Sequence, residues 1–286
     1  MDMQLKNINA EIFIPDGDLV KNALEKTTHM TIAAHHDDIE LMSLDGILKC
    51  FGVSDQWFTG VVVTNGGGSP REGIYLNFTD EQMQEIRKKE QKKAAVIGEY
   101  GAQVLMGYNS SDVKKSDHPY LVEELVELIK IAKPTILYTH NLADKHDTHV
   151  ATAVRVIQAL RALPEAYRPE KIYGCEVWRN LDWLLDEDKV AFNLSSHQNI
   201  GAALVSVFDS QISGGKRYDL AIAGREIANA TFSASHAIDS AEKLSFAMDL
   251  TPLIMDTHLE IAAYIDRYLS RFTKDVRMKI ENYDNK

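Results

Sequence analysis

The chain has 286 residues, 45 % of them apolar and 26 % charged, with a formal net charge of −11. That composition is globular and the length is enough for a large core, while the acidic balance argues against a nucleic-acid or anionic-membrane partner. No apolar stretch approaches the about 18–20 residues of a spanning helix. The opening "MDMQLKNINAEIFIPDG" lacks a basic-then-apolar signal layout. Cys50 and Cys175 belong to no CxxC pair, so two reduced, buried thiols and a cytoplasmic location are expected.

In chain order, "MTIAA" (30–34) reads as a short buried strand, and "LMSLDGILKCFG" (41–52) as a helix that stops at Gly52. "TGVVVT" (59–64) is a β-branched run, hence a second strand. "NGGGSPREGIYLNF" (65–78) is a loop by its Gly, Ser and Pro content. Residues 79–101 form a helix opened by a capping box, Thr79 with Gln82. "AQVLMG" (102–107) is the third strand, residues 118–134 a helix that ends before Pro134, and "TILYTH" (135–140) the fourth strand. A helix over 148–163 and a fifth strand over 171–178 follow.

Strands alternating with helices imply right-handed crossovers and a Rossmann-like, mostly parallel sheet flanked by helices, with the order 3-2-1-4-5. Residues 242–272 look helical with a break near Pro252, and "TKDVRMKIENYDNK" reads as a frayed polar tail. One domain is expected over 1–286, with a core of about 28–180 and a C-terminal extension of about 181–286.

Two polar clusters directly follow apolar strands: "HHDD" (35–38) after the first and "HNLADKHDTH" (140–149) after the fourth. In the order 3-2-1-4-5 these strands flank the switch point, where α/β sheets bind ligands. The clusters should therefore share one crevice. His35 with Asp38, and His146 with His149, have i, i+3 spacing at strand-to-helix junctions. A pair from one cluster and a histidine from the other would make a His-Asp-His metal site with room for water. Asp37 would lie beside the metal, free to take a proton from that water.

"AHHDD" (34–38), "VTNGG" (63–67), "RKKE" (87–90) and "DKHDTH" (144–149) resemble, in order, the motifs of the PIG-L/LmbE-like zinc-dependent deacetylases, across about residues 30–160. The resemblance implies a Rossmann-like fold and removal of an N-acetyl group from an N-acetylglucosamine-type derivative. By position it implies His35, Asp38 and His149 as ligands of Zn2+, with Fe2+ as the alternative ion. It also implies Asp37 as general base, His146 as the residue that stabilises the oxyanion or protonates the leaving amine, and Arg87 and Asp112 as substrate contacts. The sequence departs from the family at His36, where a proline is usual, and at Thr148, where an aspartate is usual. Without that aspartate, the pKa of His146 should fall.

The partner expected is a small N-acetylated sugar, with no nucleic acid and no membrane, in a protein that forms a homo-oligomer. One rival reading is an amidase of the same fold acting on a non-sugar amide or thiol conjugate. Another is a non-catalytic sugar- or nucleotide-binding protein. Beyond the motifs, "NGGGS" (65–69) reads as a loop beside the crevice. Arg225, Asn229 and His236 could line a pocket rim or a subunit contact, and Trp178 and Trp183 could stack on a sugar or pack in the core.

Overall fold

The computed structural model describes residues 3 and 5–284. Its elements run β1 (Glu11–Phe13), α1 (Val20–Glu25), β2 (His29–Ala33), α2 (Asp38–Met42), α3 (Leu44–Cys50), β3 (Phe58–Thr64), α4 (Asp80–Ile97), β4 (Ala102–Tyr108), α5 (Ser110–Lys114) and α6 (Leu121–Ala132). They continue with β5 (Ile136–His140), α7 (Asp147–Ala162), β6 (Lys171–Cys175), β7 (Lys189–Asn193), α8 (Gln198–Ser206), α9 (Asp209–Ile212) and α10 (Tyr218–Phe232). The chain closes with β8 (Leu244–Asp249), α11 (Pro252–Met255) and α12 (Ile261–Tyr283). The capping box is present: Thr79 accepts from the Gln82 N–H, and the Gln82 side chain accepts from the Thr79 N–H.

The eight strands form one sheet in the order β1-β4-β3-β2-β5-β6-β8-β7. Its centre, β4-β3-β2-β5-β6, is parallel and is the expected 3-2-1-4-5. The sheet as a whole is mixed, with the expected parallel centre and antiparallel strands at both edges. β1 runs antiparallel to β4 at one edge, and β8 and β7 run antiparallel at the other.

The central strands are apolar throughout because both faces are covered. Ile32, Val61, Val63 and Val104 meet Leu125, Leu128, Val156 and Leu160 from α6 and α7. On the opposite face, Ala33, Val62 and Leu105 meet Ile39, Ile47, Ala94 and Leu204 from α2, α3, α4 and α8. Val62 thus serves one layer and its neighbours the other, as strand alternation requires.

The C-terminal region departs from expectation twice. Residues 244–249, taken as helical, are β8, because they pair with both β6 and β7. The tail expected to fray is instead helical as far as Tyr283 in α12, whose Tyr264 is buried and donates to the Asp249 carbonyl (2.6 Å). The last two residues of that tail lie outside the described ones.

His29, at the start of β2, is buried, with Nδ1 3.0 Å from Thr28 Oγ1 and 3.4 Å from Cys50 Sγ. Burial lowers its pKa from the usual 6.5 to about 4, and Lys49 adds to the effect. In the unfolded chain the ring takes a proton near pH 6.5, whereas the folded ring does so only near 4. Stability therefore falls as pH drops through that window, by at most about 3 kcal/mol from this group. Urea unfolding should show a smaller loss between pH 7 and pH 5 for His29→Gln than for wild type. Equal losses would mean that His29 carries none of the acid sensitivity.

Candidate active site

β2 and β5 are parallel neighbours, so their carboxyl ends open side by side. The chain leaving β2 turns through His35 to Asp38 and enters α2. The chain leaving β5 passes through Asp144 and His146 and enters α7, with His149 in its first turn. The two clusters, distant in sequence, meet as expected. His35 Nδ1 lies 3.2 Å from Asp38 Oδ2 and 3.1 Å from His149 Nε2, and that Nε2 is 3.3 Å from Asp38 Oδ2.

Ligands about 2.0–2.1 Å from a tetrahedral zinc-sized ion stand about 3.3 Å from one another, so these three donors fit such an ion. Among the described residues, two overlapping donor sets lie within 4.8 Å: His35, His146 and His149, and Asp38, His140 and His149. His140 sits behind the others, stacked on His149 at 3.9 Å. Its Nε2 already accepts the Ala34 N–H (2.8 Å), so that lone pair is taken.

Asp144 completes the centre from outside. Its Oδ2 accepts His149 Nδ1–H (3.3 Å) and the Val177 N–H (3.1 Å), and its Oδ1 accepts the His146 N–H (3.1 Å). A second partner of this kind fixes which imidazole nitrogen is left to bind. Burial alone would raise the pKa of Asp144, but the bond from His149 holds it at about 2. Burial likewise opposes charge on His149, yet Asp38 and Asp144 raise its pKa to about 10. The centre therefore favours positive charge.

Asp37 sits at the start of α2 with φ 83°, a region rare for a residue with a side chain. Three interactions hold it there. Its N–H donates to Gln91 Oε1 (3.1 Å), its carbonyl accepts from Glu40 and Leu41, and its Oδ1 lies 3.3 Å from Arg87 Nη2. Gln91 is anchored in turn by donating to Glu40 Oε1 (2.8 Å), which also accepts from Tyr100 OH (2.7 Å). Burial raises the pKa of Asp37 to about 8, with Arg87 opposing and Asp38 reinforcing the shift.

Gln91→Leu would leave the buried Asp37 N–H without an acceptor, at about 1–3 kcal/mol, and free the turn. We expect lower stability by urea unfolding and a lower kcat with little change in KM. Gln91→Glu, which keeps an acceptor, should recover most of the kcat. Failure of Glu to do better than Leu would remove Gln91 from the positioning of Asp37.

The two expected substrate contacts stand in different places. Arg87 borders the cavity but is buried and committed to protein partners: the His36 carbonyl (2.5 Å), Ser69 Oγ (2.5 Å) and Asp37. It positions Asp37 and the 66–69 loop. Asp112 does not line the cavity; its carboxylate meets Lys115 (2.8 Å) and Asn109 (3.1 Å) on α5. A helical turn carries Ser110 and Lys114 to the cavity in its place.

His36 is buried, is not part of this cavity's wall and packs beneath Gly66 (φ 73°), where an added Cβ would stand 2.8 Å from its Nδ1. Thr148 is buried too, and its unpartnered hydroxyl borders the cavity. The pKa of His146 is lowered, to about 4, by burial first and then by His35 and His149.

The cavity has a volume of about 540 Å³, within the usual range for small-molecule sites. Its wall includes Gly66, Gly68 and Ser69 of the glycine loop, Trp178, and Gln211, Lys216 and Tyr218 from the C-terminal region. The Glu90 carboxylate joins that region to the core, accepting the Ser210 N–H (2.7 Å) and Oγ–H (2.6 Å). Gln211, Lys216 and Tyr218 were missed because they lie beyond every motif. Arg225 and Asn229 instead brace the wall: Arg225 donates to the Val177 carbonyl (2.7 Å) and Asn229 pairs with Asn180 (2.8 Å). Trp183 packs inward and donates to Glu176 (3.0 Å), while His236 is exposed.

The His/Asp centre thus lies at the carboxyl ends of adjacent parallel strands, where open α/β sheets bind ligands. Residues 30–160 match the family model described as PIG-L: GlcNAc-PI de-N-acetylase.

No curated protein matches the chain. Among solved structures, the conserved protein TT1542 from Thermus thermophilus aligns with TM-score 0.61 and 17 % identity, over 82 % of this chain and 99 % of that one. The N,N'-diacetylchitobiose deacetylase from Pyrococcus horikoshii aligns with TM-score 0.60 and 12 % identity, over 84 % and 90 %. GalB, the 4-carboxy-2-hydroxymuconate hydratase from Pseudomonas putida KT2440, aligns with TM-score 0.60 and 15 % identity, over 78 % and 96 %. These likenesses establish the fold, and a fold does not fix a reaction.

Proposed function

We propose that the protein is a metal-dependent N-deacetylase that hydrolyses the acetamide of an N-acetylglucosamine-type amino sugar to acetate and a free amine. The observation that carries this reading is the mutual spacing of His35, Asp38 and His149, with the Asp37 carboxylate next to them. These three residues would hold the divalent ion, zinc or iron. A bound ion of this kind polarises a carbonyl and makes water nucleophilic at neutral pH.

The chain's own residues do the rest. In its ionised form, disfavoured by the burial that raises its pKa to about 8 and favoured by Arg87, Asp37 takes the proton of the attacking water and passes it to the amine nitrogen as the C–N bond breaks. His146 Nδ1 accepts the Thr148 N–H (3.3 Å), which leaves its proton on Nε2. With its pKa near 4, the ring is a neutral donor at pH 7 and stabilises the carbonyl oxygen as charge gathers there.

Among the described residues, no helix is long and apolar enough to cross a membrane. We place the protein in the cytoplasm, a reading supported by two buried, unpaired cysteines.

Metal analysis of purified protein and acetate release from a panel of N-acetyl sugars and non-sugar amides test the reading. Expected are one bound transition metal per chain, activity abolished by a chelator and restored by metal, and a preference for the sugars. Protein that binds no metal after reconstitution, or that releases no acetate, would overturn it.

A further inference from the structure

We infer that the substrate carries an anionic group, a carboxylate or a phosphate, on its amine side, held between Lys114 and Lys216 at the mouth of the cavity. The inference rests on the deacetylase reading of the same site. Lys114 ends α5 and Lys216 precedes α10, so separate elements bring the two lysines to the wall of one cavity.

Their immediate neighbours in sequence are paired with nearby acids. Lys115 pairs with Asp112 at 2.8 Å, and Arg217 pairs with Asp219 at 2.7 Å. Among the described residues Lys114 and Lys216 have no such partner, and both border the cavity instead. Lys216 lies 5.2 Å from the centroid of the Trp178 ring, which holds it at the wall.

The charge within the cavity makes these lysines surplus. Asp37 and Asp38 are the carboxylates that line it. Asp37 faces Arg87, and Asp38 faces His35 and His149, which a bound divalent ion would join. Two more cations, in a chain of net charge −11, have no acid left to balance them within the site. The rest of the mouth is Ser69, Ser110, Gln211 and the rings of Trp178 and Tyr218. It holds none of the carboxylates that usually grip neutral sugar hydroxyls. The rings offer apolar faces to a sugar, and the lysines offer charge to a substituent on it.

The test compares metal-loaded enzyme on methyl N-acetylglucosaminide, N-acetylglucosamine 6-phosphate and N-acetylmuramic acid, which are neutral, phosphate-bearing and carboxylate-bearing. The ratio of kcat/KM for an anionic over the neutral compound should exceed one. It should fall about tenfold with each of Lys114→Met and Lys216→Met, survive Lys→Arg at either site, and shrink with added salt. The phosphate and carboxylate arms identify which anion the site takes.

Calorimetric titration with glucosamine 6-phosphate against glucosamine gives a readout without turnover. The phosphate should bind more tightly to wild type, and the advantage should vanish in the double variant. Equal kcat/KM for all three compounds, or an anion preference that the double variant keeps, would overturn the inference and leave the deacetylase reading intact. Absence of acetate release from every compound would overturn the deacetylase reading, and the titration would still decide the anion subsite.

Discussion

Asp37→Asn is expected to lower kcat by about 10²- to 10⁴-fold, the usual contribution of a positioned general base, without loss of metal. Asparagine is the right probe because it tolerates positive φ better than most residues with a side chain, and Asp37 has φ 83°. Its backbone N–H keeps the bond to Gln91, and its side-chain oxygen can still accept from Arg87. The amide cannot take a proton from water. Metal content, thermal stability and product binding should stay near wild type while turnover collapses, which separates loss of the base from loss of the site. Retention of more than about a tenth of kcat would show that another group takes the proton, and the raised pKa of Asp37 would then report burial alone.

The parallel centre of the sheet and half of the site are legible in the sequence for a common reason. Strands buried on both faces read as unbroken apolar runs, and polar clusters at their ends stand out against them. "TGVVVT" followed by glycines, and "MTIAA" followed by "HHDD", carry both signals.

The antiparallel edges carry neither. β1 is three residues long, and β8, "LSFAMD", lies in a longer stretch whose apolar spacing also fits a helix. Its identity as a strand comes from β6 and β7 on either side, which no local pattern encodes. Asp112 lies off the cavity wall for a related reason, because a helical turn after β4 chooses which side chains reach the crevice. Lys216 and Tyr218 reach the cavity wall only because Glu90 holds Ser210. That long-range bond leaves no trace in the spacing of either segment.

Asp144→Asn should weaken metal binding about 10- to 100-fold, the usual effect of losing a ligand's outer partner. The carboxylate accepts on both oxygens, from His149 Nδ1–H on one and from the His146 N–H on the other. An asparagine must put its NH₂ group in one of those places. Facing His149, it donates to Nδ1 and drives the ring proton to Nε2, the nitrogen that lies among His35 and Asp38, so the ligand's lone pair is lost. Facing the His146 N–H, it sets donor against donor at the start of α7 and disturbs the turn that carries His146. Either orientation damages the centre while every ligand side chain remains. Competition with a chromophoric chelator should show the loss of affinity, and excess metal should restore much of the kcat. Wild-type affinity in Asp144→Asn would mean that the buried backbone turn, and not the Asp144 carboxylate, sets the tautomer of His149.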